Sequence, residues 1–244
     1  MIAADQPTVF PDSCAVSVSS KDDGTMFDKT GSTSPVSITR NRTVFCHQTG
    51  INFASTVYQT VLYQDDSKYN LLAEVDSRGT TKFNPYIVAD GLYTEQVGVG
   101  LFLPVADCIA TVIYDPSRGA LALLHMGRHS TFSDLIPKIL NHFVTQGSSI
   151  KNLVIWMGPS VQRISYKLDH FSFEHDATWQ PFFDKKTDGY YLDMQGYNRQ
   201  KCIAAGVSSE QITISAVDTV TNDNYFSHSA GDTTQRFAVL AMMR

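Results

Sequence analysis

A cysteine and a histidine flank a predicted β-hairpin in the middle of the chain. Cys108 closes the segment Ala106-Asp107-Cys108, and His125 follows it by 17 residues. The segment between the two predicted strands, Asp115-Pro116-Ser117-Arg118-Gly119, has the composition of a turn. If the turn is centred between Pro116 and Ser117, Cys108 faces His125 to within one or two residues, and opposite Cβ atoms lie about 4.5–5.5 Å apart. We therefore expect the pair to share a metal ion or a proton.

Three further side chains are candidates for the same site. Asp107 either orients a histidine through Nδ1, supports a metal ligand from behind, or is a turn residue at a strand end. His129 lies four residues after His125 and joins the site if the chain turns helical there. Arg236, in the last polar loop, either binds a phosphate or carboxylate or forms a surface ion pair. Each of them has both a functional and a structural interpretation.

Composition and charge restrict the class of protein. The 244 residues are enough for a substantial core, and no polar linker forces a boundary, so we expect a single domain over residues 1–244. The net charge of −5 and the lack of Lys or Arg runs argue against nucleic-acid binding. No segment approaches the roughly 18 unbroken apolar residues of a transmembrane helix. We expect a monomer that binds neither nucleic acid nor membrane.

The N-terminus and the cysteines indicate the compartment. Residues 1–7 lack the basic start and the apolar core of a signal peptide. The four cysteines are widely spaced and form no CxxC pattern, which is typical of reduced thiols. A cytoplasmic location is therefore expected.

Hydrophobic periodicity predicts many strands and three helices. The helices are expected at residues 38–50, 132–146 and 193–205. The strands are expected at residues 15–19, 54–63, 70–75, 97–105, 109–114, 120–124, 152–157, 211–217 and 237–242. Because strands outnumber helices and alternate with them, we expect an α/β (α+β) fold, a mixed β-sheet sandwich with flanking helices.

From about Val36 onward, the order and spacing of several motifs resemble the YfiH family, also called the multicopper polyphenol oxidoreductase (laccase-domain) family. The motifs are Ala89-Asp90-Gly91-Leu92, Ala106-Asp107-Cys108, Leu124-His125-Met126-Gly127, Met157-Gly158-Pro159, Asn198-Arg199, and Tyr225-Phe226-Ser227 with Arg236. Some members of that family are assigned as purine nucleoside phosphorylases with adenosine deaminase activity, and others to editing of peptidoglycan precursors. The resemblance implies a YfiH-like fold and a small-molecule substrate, a purine nucleoside with phosphate.

The resemblance also implies a metal centre, and this chain departs from it. The family binds zinc or copper through the cysteine and two histidines, the first of which lies in a Gln-Val-His-Gly segment. When that segment is matched to Thr56-Val57-Tyr58-Gln59, Tyr58 replaces the first histidine beside Cys108 and His125. A neutral phenol, with a pKa of about 10, is a poor zinc ligand. His129 or His47 is a possible replacement, and we expect a weakened zinc site, with copper as the alternative.

Three functions remain open from the sequence. The preferred one is a metal-assisted, purine nucleoside phosphorylase-like enzyme of weakened activity, in which Cys108 and His125 hold zinc. In that enzyme Arg236 and Arg42 would neutralise the anion, and His129 would contact the substrate. The second is a metal-free hydrolase or amidase, including an editor of peptidoglycan precursors, with Cys108 as nucleophile and His125 as base. The third is a binding protein that keeps the fold after its site has decayed.

Overall fold

Two six-stranded β-sheets form the body of the computed structural model, which describes residues 1–62, 70–77 and 86–244. The strands, numbered in chain order, are β1 (Cys14–Val18), β2 (Phe27–Asp28), β3 (Thr56–Thr60), β4 (Leu72–Glu74), β5 (Tyr86–Val88), β6 (Gly91–Thr94), β7 (Gly100–Val105), β8 (Ile109–Asp115), β9 (Ala120–Met126), β10 (Val154–Met157), β11 (Lys167–Leu168), β12 (Phe183–Lys186), β13 (Gly189–Leu192), β14 (Ile212–Ile214) and β15 (Gln235–Met243). The first sheet has the order β1-β15-β7-β3-β5, with β2 also paired to β15. The second has the order β14-β10-β8-β9-β6-β4, and β11-β13-β12 form a small third sheet.

Both large sheets mix parallel and antiparallel pairs. In the first sheet β3 runs parallel to β5 and β7, whereas β15 is antiparallel to β1 and β7. In the second sheet the β8–β9 hairpin is antiparallel, and the outer pairs β10–β14 and β4–β6 are parallel. The prediction of a mixed β-sheet sandwich is confirmed.

Alternation of side chains along the strands separates an inner from an outer face of each sheet. The inner core lies between the sheets and includes Leu101, Leu103, Val112, Leu121 and Leu123. On the outer face of the first sheet, Phe102 and Leu240 pack with residues of the first helix. The outer face of the second sheet is covered by two further helices and the small sheet. The alternation decides which side chains of β3, β8 and β9 share a space.

Four α-helices flank the sheets in the described residues: α1 (Pro35–Gln48), α2 (Arg128–Phe132), α3 (Leu135–Thr145) and α4 (Met194–Ala204). The predicted helix at 132–146 begins later, at Leu135, because Asp134 has a left-handed backbone (φ 57°) that separates α3 from α2. Asp193 starts α4 by accepting a hydrogen bond from Gly196 N. In the described part of the chain, none of the helices has the length and apolar character needed to cross a bilayer.

The predicted elements are found with shifts of a few residues at their ends. The predicted strand at 54–63 becomes β3, which ends at Thr60, and residue 63 lies outside the described residues. The strands β2, β5 and β6 and the small third sheet are not predicted from the pattern. They are two to four residues long, which is too short for a periodic signal.

Candidate functional site

Cys108 lies in a turn that carries the chain from one sheet to the other. The turn joins the end of β7 to the start of β8, and Asp107 within it has a left-handed backbone with φ 69°. The Asp107 carboxylate accepts hydrogen bonds from Thr219 Oγ1 and Ser229 N, both at 2.7 Å. These bonds compensate for an unfavourable backbone conformation and fix the position of the neighbouring thiol.

His125 is oriented by Asp90, not by Asp107. The two residues are 4% and 2% exposed, and His125 Nδ1 lies 2.8 Å from Asp90 Oδ1. The backbone N–H of His125 also donates to Asp90 O at 2.8 Å. The prediction that Asp107 orients a histidine is therefore wrong, because its carboxylate is bonded to two loops. Asp90 lies in one of the motifs that carry the family resemblance, but its distance in sequence from His125 hid its role.

Burial and the His125 imidazole shift the pKa of Asp90 in opposite directions. Loss of hydration raises the pKa of the Asp90 carboxyl, and the hydrogen bond from His125 and the charge of His125 oppose that rise. Burial prevails, so the pKa of the Asp90 carboxyl lies above its ordinary value.

The register of the β8–β9 hairpin brings Cys108 near His125, although they are not opposite each other. Ala110 is the residue opposite His125, because the pairing of Asp115 with Ala120 centres the turn one residue later than predicted. Cys108 lies two residues before Ala110 and, like it, packs against the inner core. The thiol therefore lies on the same face as the imidazole, within the predicted tolerance.

Gly127 shows how closely the two groups approach. A Cβ placed on Gly127 would be 3.2 Å from Cys108 Sγ, 3.3 Å from His125 Nε2 and 2.9 Å from His125 Cε1. Both functional atoms therefore lie within van der Waals reach of one point. Any larger residue at position 127 would have to displace one of them.

Two cavities meet at Cys108. One, of about 220 Å³, is also lined by Tyr166, Met194 and Arg236. The other, of about 190 Å³, is also lined by residues of the His125–Asp90 pair. Cys108, Gly127, Arg128, Tyr166 and His228 line both. The thiol is thus accessible from a space that leads to the buried imidazole.

Positively charged side chains form one end of the larger cavity, here called the cationic end. Lys29 and Arg236 line the larger cavity and also a third one, of about 110 Å³, together with Tyr58 and Gln59. The Arg236 guanidinium donates to Gln235 O at 2.7 Å, which holds it at the rim. Arg128 adds a further positive charge beside Cys108. Such a group of cations suits a phosphate or a carboxylate.

Tyr166 supplies a neutral hydroxyl in the same space. Burial raises the pKa of Tyr166 to about 12, and the nearby Cys108 adds to the rise while Arg128 opposes it. The phenol therefore keeps its proton at neutral pH and can donate a hydrogen bond to a ligand.

Of the predicted substrate-binding residues, two line these cavities and one does not. His129 lines the smaller cavity with His125, and Arg236 lines the larger one. Arg42 instead is 7% exposed, its Nε donates to Met26 O at 2.8 Å, and its guanidinium lies 4.2 Å from the centre of the Tyr58 ring. Arg42 therefore holds α1 against the first sheet, contrary to its predicted role.

Asp90, Lys29 and His228 are site residues that sequence reasoning missed. Lys29 precedes α1, and His228 lies in the polar loop before β15, so both are far from Cys108 in sequence. The loop containing His228 is tied to the site by the bond from Ser229 N to Asp107. No local sequence signal indicates this approach, because it depends on the packing of three separate segments.

The predicted metal ligand Tyr58 lies on the wrong face of its strand. Its ring stacks on Phe102 on the outer face of the first sheet, with ring centres 5.8 Å apart. Val61 instead packs against the inner core and lines the cavity of Cys108 and His125. Matching Gln59-Thr60-Val61-Leu62 to the family's Gln-Val-His-Gly segment retains the glutamine and places Val61 at the histidine.

The described residues therefore do not fit the metal centre implied by the family. Within residues 1–62, 70–77 and 86–244, no group of three or more His, Cys, Asp or Glu side chains could hold a metal ion. Cys108 and His125 provide two donors, whereas catalytic zinc sites use three protein ligands and structural sites four. A hydrocarbon side chain at position 61 supplies none.

Known proteins resemble this chain in sequence over part of their length. A protein named Purine nucleoside phosphorylase from Bacteroides thetaiotaomicron is 28% identical over 148 residues, which cover 57% of this chain and 54% of that protein. Purine nucleoside phosphorylase YlmD from Bacillus subtilis is 25% identical over 186 residues, or 71% and 67% of the two chains. Adenosine deaminase RL5, from an unknown prokaryotic organism, is 25% identical over 133 residues, or 50% and 49%. The matches thus span about half to two thirds of these relatives.

Solved structures share the fold over almost the whole chain. YlmD from Geobacillus stearothermophilus superposes with a TM-score of 0.83 at 20% identity, covering 96% of this chain and 93% of that one. The hypothetical protein YfiH from Bacillus licheniformis gives 0.82 at 20% identity, covering 95% and 93%. Residues 22–244 match the family described as multi-copper polyphenol oxidoreductase laccase. Because that match covers most of the sequence, the chain belongs to the multi-copper polyphenol oxidoreductase laccase family, the YfiH family indicated by its motifs.

Proposed function

We propose that this protein is a purine nucleoside phosphorylase-like enzyme that works in the cavities around Cys108. The observation that carries the proposal is the continuity of the space, in which one cavity contains the His125–Asp90 pair and the adjoining one extends to Lys29 and Arg236. An acid–base group and an anion site are the two elements that phosphorolysis of a nucleoside requires. The names of the relatives support a nucleoside as substrate.

The cationic end would bind the attacking phosphate. Arg236, Lys29 and Arg128 lower the cost of holding a doubly charged anion, and a guanidinium can donate two hydrogen bonds to it. Holding phosphate next to the ribose replaces a bimolecular encounter by a local one. The entropy lost in such an encounter is a large part of the activation barrier. The apolar side chains Val161 and Met194 and the Tyr166 hydroxyl then remain for the purine.

The His125–Asp90 pair would handle the proton. A phosphate oxygen forms a bond to C1′ of the ribose as the bond from C1′ to the purine nitrogen breaks, and the purine leaves with a proton. The proton comes from the imidazole, which regains one from the hydrogen phosphate, so that charges and atoms balance. Asp90 stabilises the protonated imidazole, and Cys108 contacts the substrate where the cavities meet.

Phosphate dependence tests this proposal directly. Purified protein is incubated with inosine, adenosine or guanosine, with and without inorganic phosphate, and free base and ribose 1-phosphate are measured. Arg236→Met should raise the KM for phosphate about 10- to 100-fold, the equivalent of one or two charged hydrogen bonds. Arg163→Met is the matched control, because its guanidinium pairs with Asp184 outside the cavities. Base release that is independent of phosphate would contradict the proposal.

A thiol hydrolase or amidase is the second candidate, favoured by the grouping of Cys108, His125 and Asp90. In this mechanism the Cys108 sulfur attacks an acyl carbon after His125 takes its proton, and His125 then protonates the leaving amine. Water hydrolyses the thioester in a second step and regenerates the thiol. Peptidoglycan precursors provide amide bonds of this kind.

Product analysis separates the two enzymes, and chelation, alkylation and substitution test the role of the thiol. The two enzymes are distinguished by the product, since only the phosphorylase consumes phosphate. Loss of activity in Cys108→Ala and on iodoacetamide treatment, with retention in a chelator, supports a direct role of the thiol. If neither nucleosides nor amides are turned over but a nucleoside still binds, the protein is a binding protein with a decayed site.

A further inference from the structure

We infer that Val61 occupies the position from which a third protein ligand would complete a metal centre with Cys108 and His125. In consequence, the described residues give zinc no third ligand beside Cys108 and His125, weak binding is expected of the wild type, and one substitution, Val61→His, creates a three-ligand site. The inference concerns the donor set alone, so it stands or falls independently of the proposed reaction.

The first observation is the face on which Val61 lies. Val61 follows β3 by one residue and packs against the inner core, as Val57 does four residues earlier. The same cavity is lined by Val61, Cys108 and His125. A side chain at position 61 is thus directed into the space that the thiol and the imidazole share.

The second observation is that Tyr58 cannot take this place. Tyr58 packs on the opposite face of β3, between Phe102 and the Arg42 guanidinium. A guanidinium 4.2 Å from the centre of the ring adds positive charge where a metal cation would have to bind. Tyr58 and Val61 both border the third cavity, but of the two it is Val61 that also lines the cavity of Cys108 and His125, so the two positions form a matched pair for the test.

The third observation is that the two remaining donors are already positioned. Asp90 bonds to His125 Nδ1 at 2.8 Å, the contact that commonly orients a metal-binding imidazole through its other nitrogen. Cys108 Sγ and His125 Nε2 both lie within 3.3 Å of the point where a Cβ on Gly127 would stand. A third donor at this cavity would meet a cysteine sulfur and an oriented imidazole, both of which are common zinc ligands.

The experiment compares four full-length proteins: the wild type, Val61→His, Val61→Cys and Tyr58→His. Each is stripped with a chelator, dialysed and titrated with Zn²⁺ by calorimetry under reducing conditions. Binding of Co²⁺ is followed by the charge-transfer absorption of a cobalt–thiolate bond, which reports Cys108 directly. Circular dichroism of each protein shows that it is folded.

Val61→His is expected to bind one Zn²⁺ at least about 100-fold more tightly than the wild type, since it supplies the missing ligand. Val61→Cys should gain binding in the same way, and it provides the test if the histidine variant does not fold. Tyr58→His should bind no better than the wild type, and adding Cys108→Ser to Val61→His should abolish both the gain and the cobalt–thiolate band.

Three results would overturn the inference. One is tight, stoichiometric zinc binding by the wild-type protein. Another is a folded Val61→His and a folded Val61→Cys that both bind no better than the wild type. The third is an equal gain in Tyr58→His, which would show that position 58 reaches the cavity.

Discussion

His125 Nδ1 lies 2.8 Å from Asp90 Oδ1, and both side chains are almost completely buried. This contact leaves Nε2 as the ring nitrogen that lies near Gly127 and the thiol. The bond also joins the start of β6 to the end of the neighbouring strand β9. One interaction therefore fixes both the ring orientation and the geometry of the cavity wall.

Asp90→Asn should lower kcat/KM by about 10²-fold, because the amide cannot stabilise a protonated imidazole and does not favour one tautomer. The fold should persist, since asparagine has the same shape and can still bond to His125. The measurement is steady-state kinetics on the best substrate, with thermal unfolding to verify the fold. Asp134→Asn serves as control, because that carboxylate pairs with Lys201 at the surface. A loss as large in the control as in Asp90→Asn would show that the effect is not specific to the imidazole.

The sequence predicts strongly periodic elements and the approach of two residues within one hairpin. Strands β8 and β9 are predicted well because a marked turn separates two apolar runs, and a shift of one residue in the turn makes Ala110, and not Cys108, the partner of His125. That shift does not change the face, since side chains two residues apart lie on the same side of a strand.

Contacts between distant segments are what the sequence does not predict. Asp90 meets His125 from 35 residues away, and Asp107 bonds to Ser229 across 122 residues. The sequence places Tyr58 at the metal ligand because Tyr58 and Val61 lie close together in the chain, and only the packing shows which side chain turns inward. Local propensity carries no information on such pairings.

Cys108 should be the only cysteine that is alkylated in the folded protein. Cys14, Cys46 and Cys202 are at most 4% exposed, and burial raises the pKa of each thiol to about 12, so little reactive thiolate forms. Cys108 is partly exposed and lines both cavities. Brief treatment with iodoacetamide near pH 8, followed by mass spectrometry, should give a single adduct on Cys108.

Two controls make the alkylation result informative. Cys108→Ser should give no adduct under the same conditions, and denaturant should expose the other three cysteines. An adduct at Cys202 in the folded protein would contradict the burial of that thiol.

Stability should fall as the pH rises above about 8.5, the usual pKa of an unfolded cysteine. The pKa of the buried thiols of Cys14, Cys46 and Cys202 is about 12 in the folded protein, higher than in the unfolded chain. A raised pKa stabilises the fold fully below about pH 8.5, and this contribution is lost between pH 8.5 and 12 because the unfolded chain releases its protons first. Each thiol lowers the free energy of unfolding by up to about 1.4 kcal/mol per pH unit in that window.

Urea unfolding between pH 7 and 10.5, with a reductant present, measures this dependence. Cys202→Ala should be less stable than the wild type at every pH because it leaves a cavity. Its free energy of unfolding should nevertheless fall less steeply with rising pH, by the slope that corresponds to about one proton. Parallel curves for the two proteins would show that Cys202 does not resist ionisation as proposed.

Gly127→Ala should disable the site while leaving the fold intact. The new methyl group would lie 2.9 Å from His125 Cε1 and 3.2 Å from Cys108 Sγ, closer than such atoms tolerate, so the ring or the thiol must move. The backbone at position 127 is extended (φ −87°), so alanine introduces no backbone strain there. A displacement of about 1 Å can cost about 10²-fold in rate, and we expect a decrease of that order in kcat/KM.

Gly100→Ala is the matched control. Its methyl group would lie 3.0 Å from Thr56 Cγ2, and the Thr56 side chain does not line the three cavities. Equal kcat/KM in Gly127→Ala and the wild type would mean that the thiol and the imidazole need not approach each other for activity.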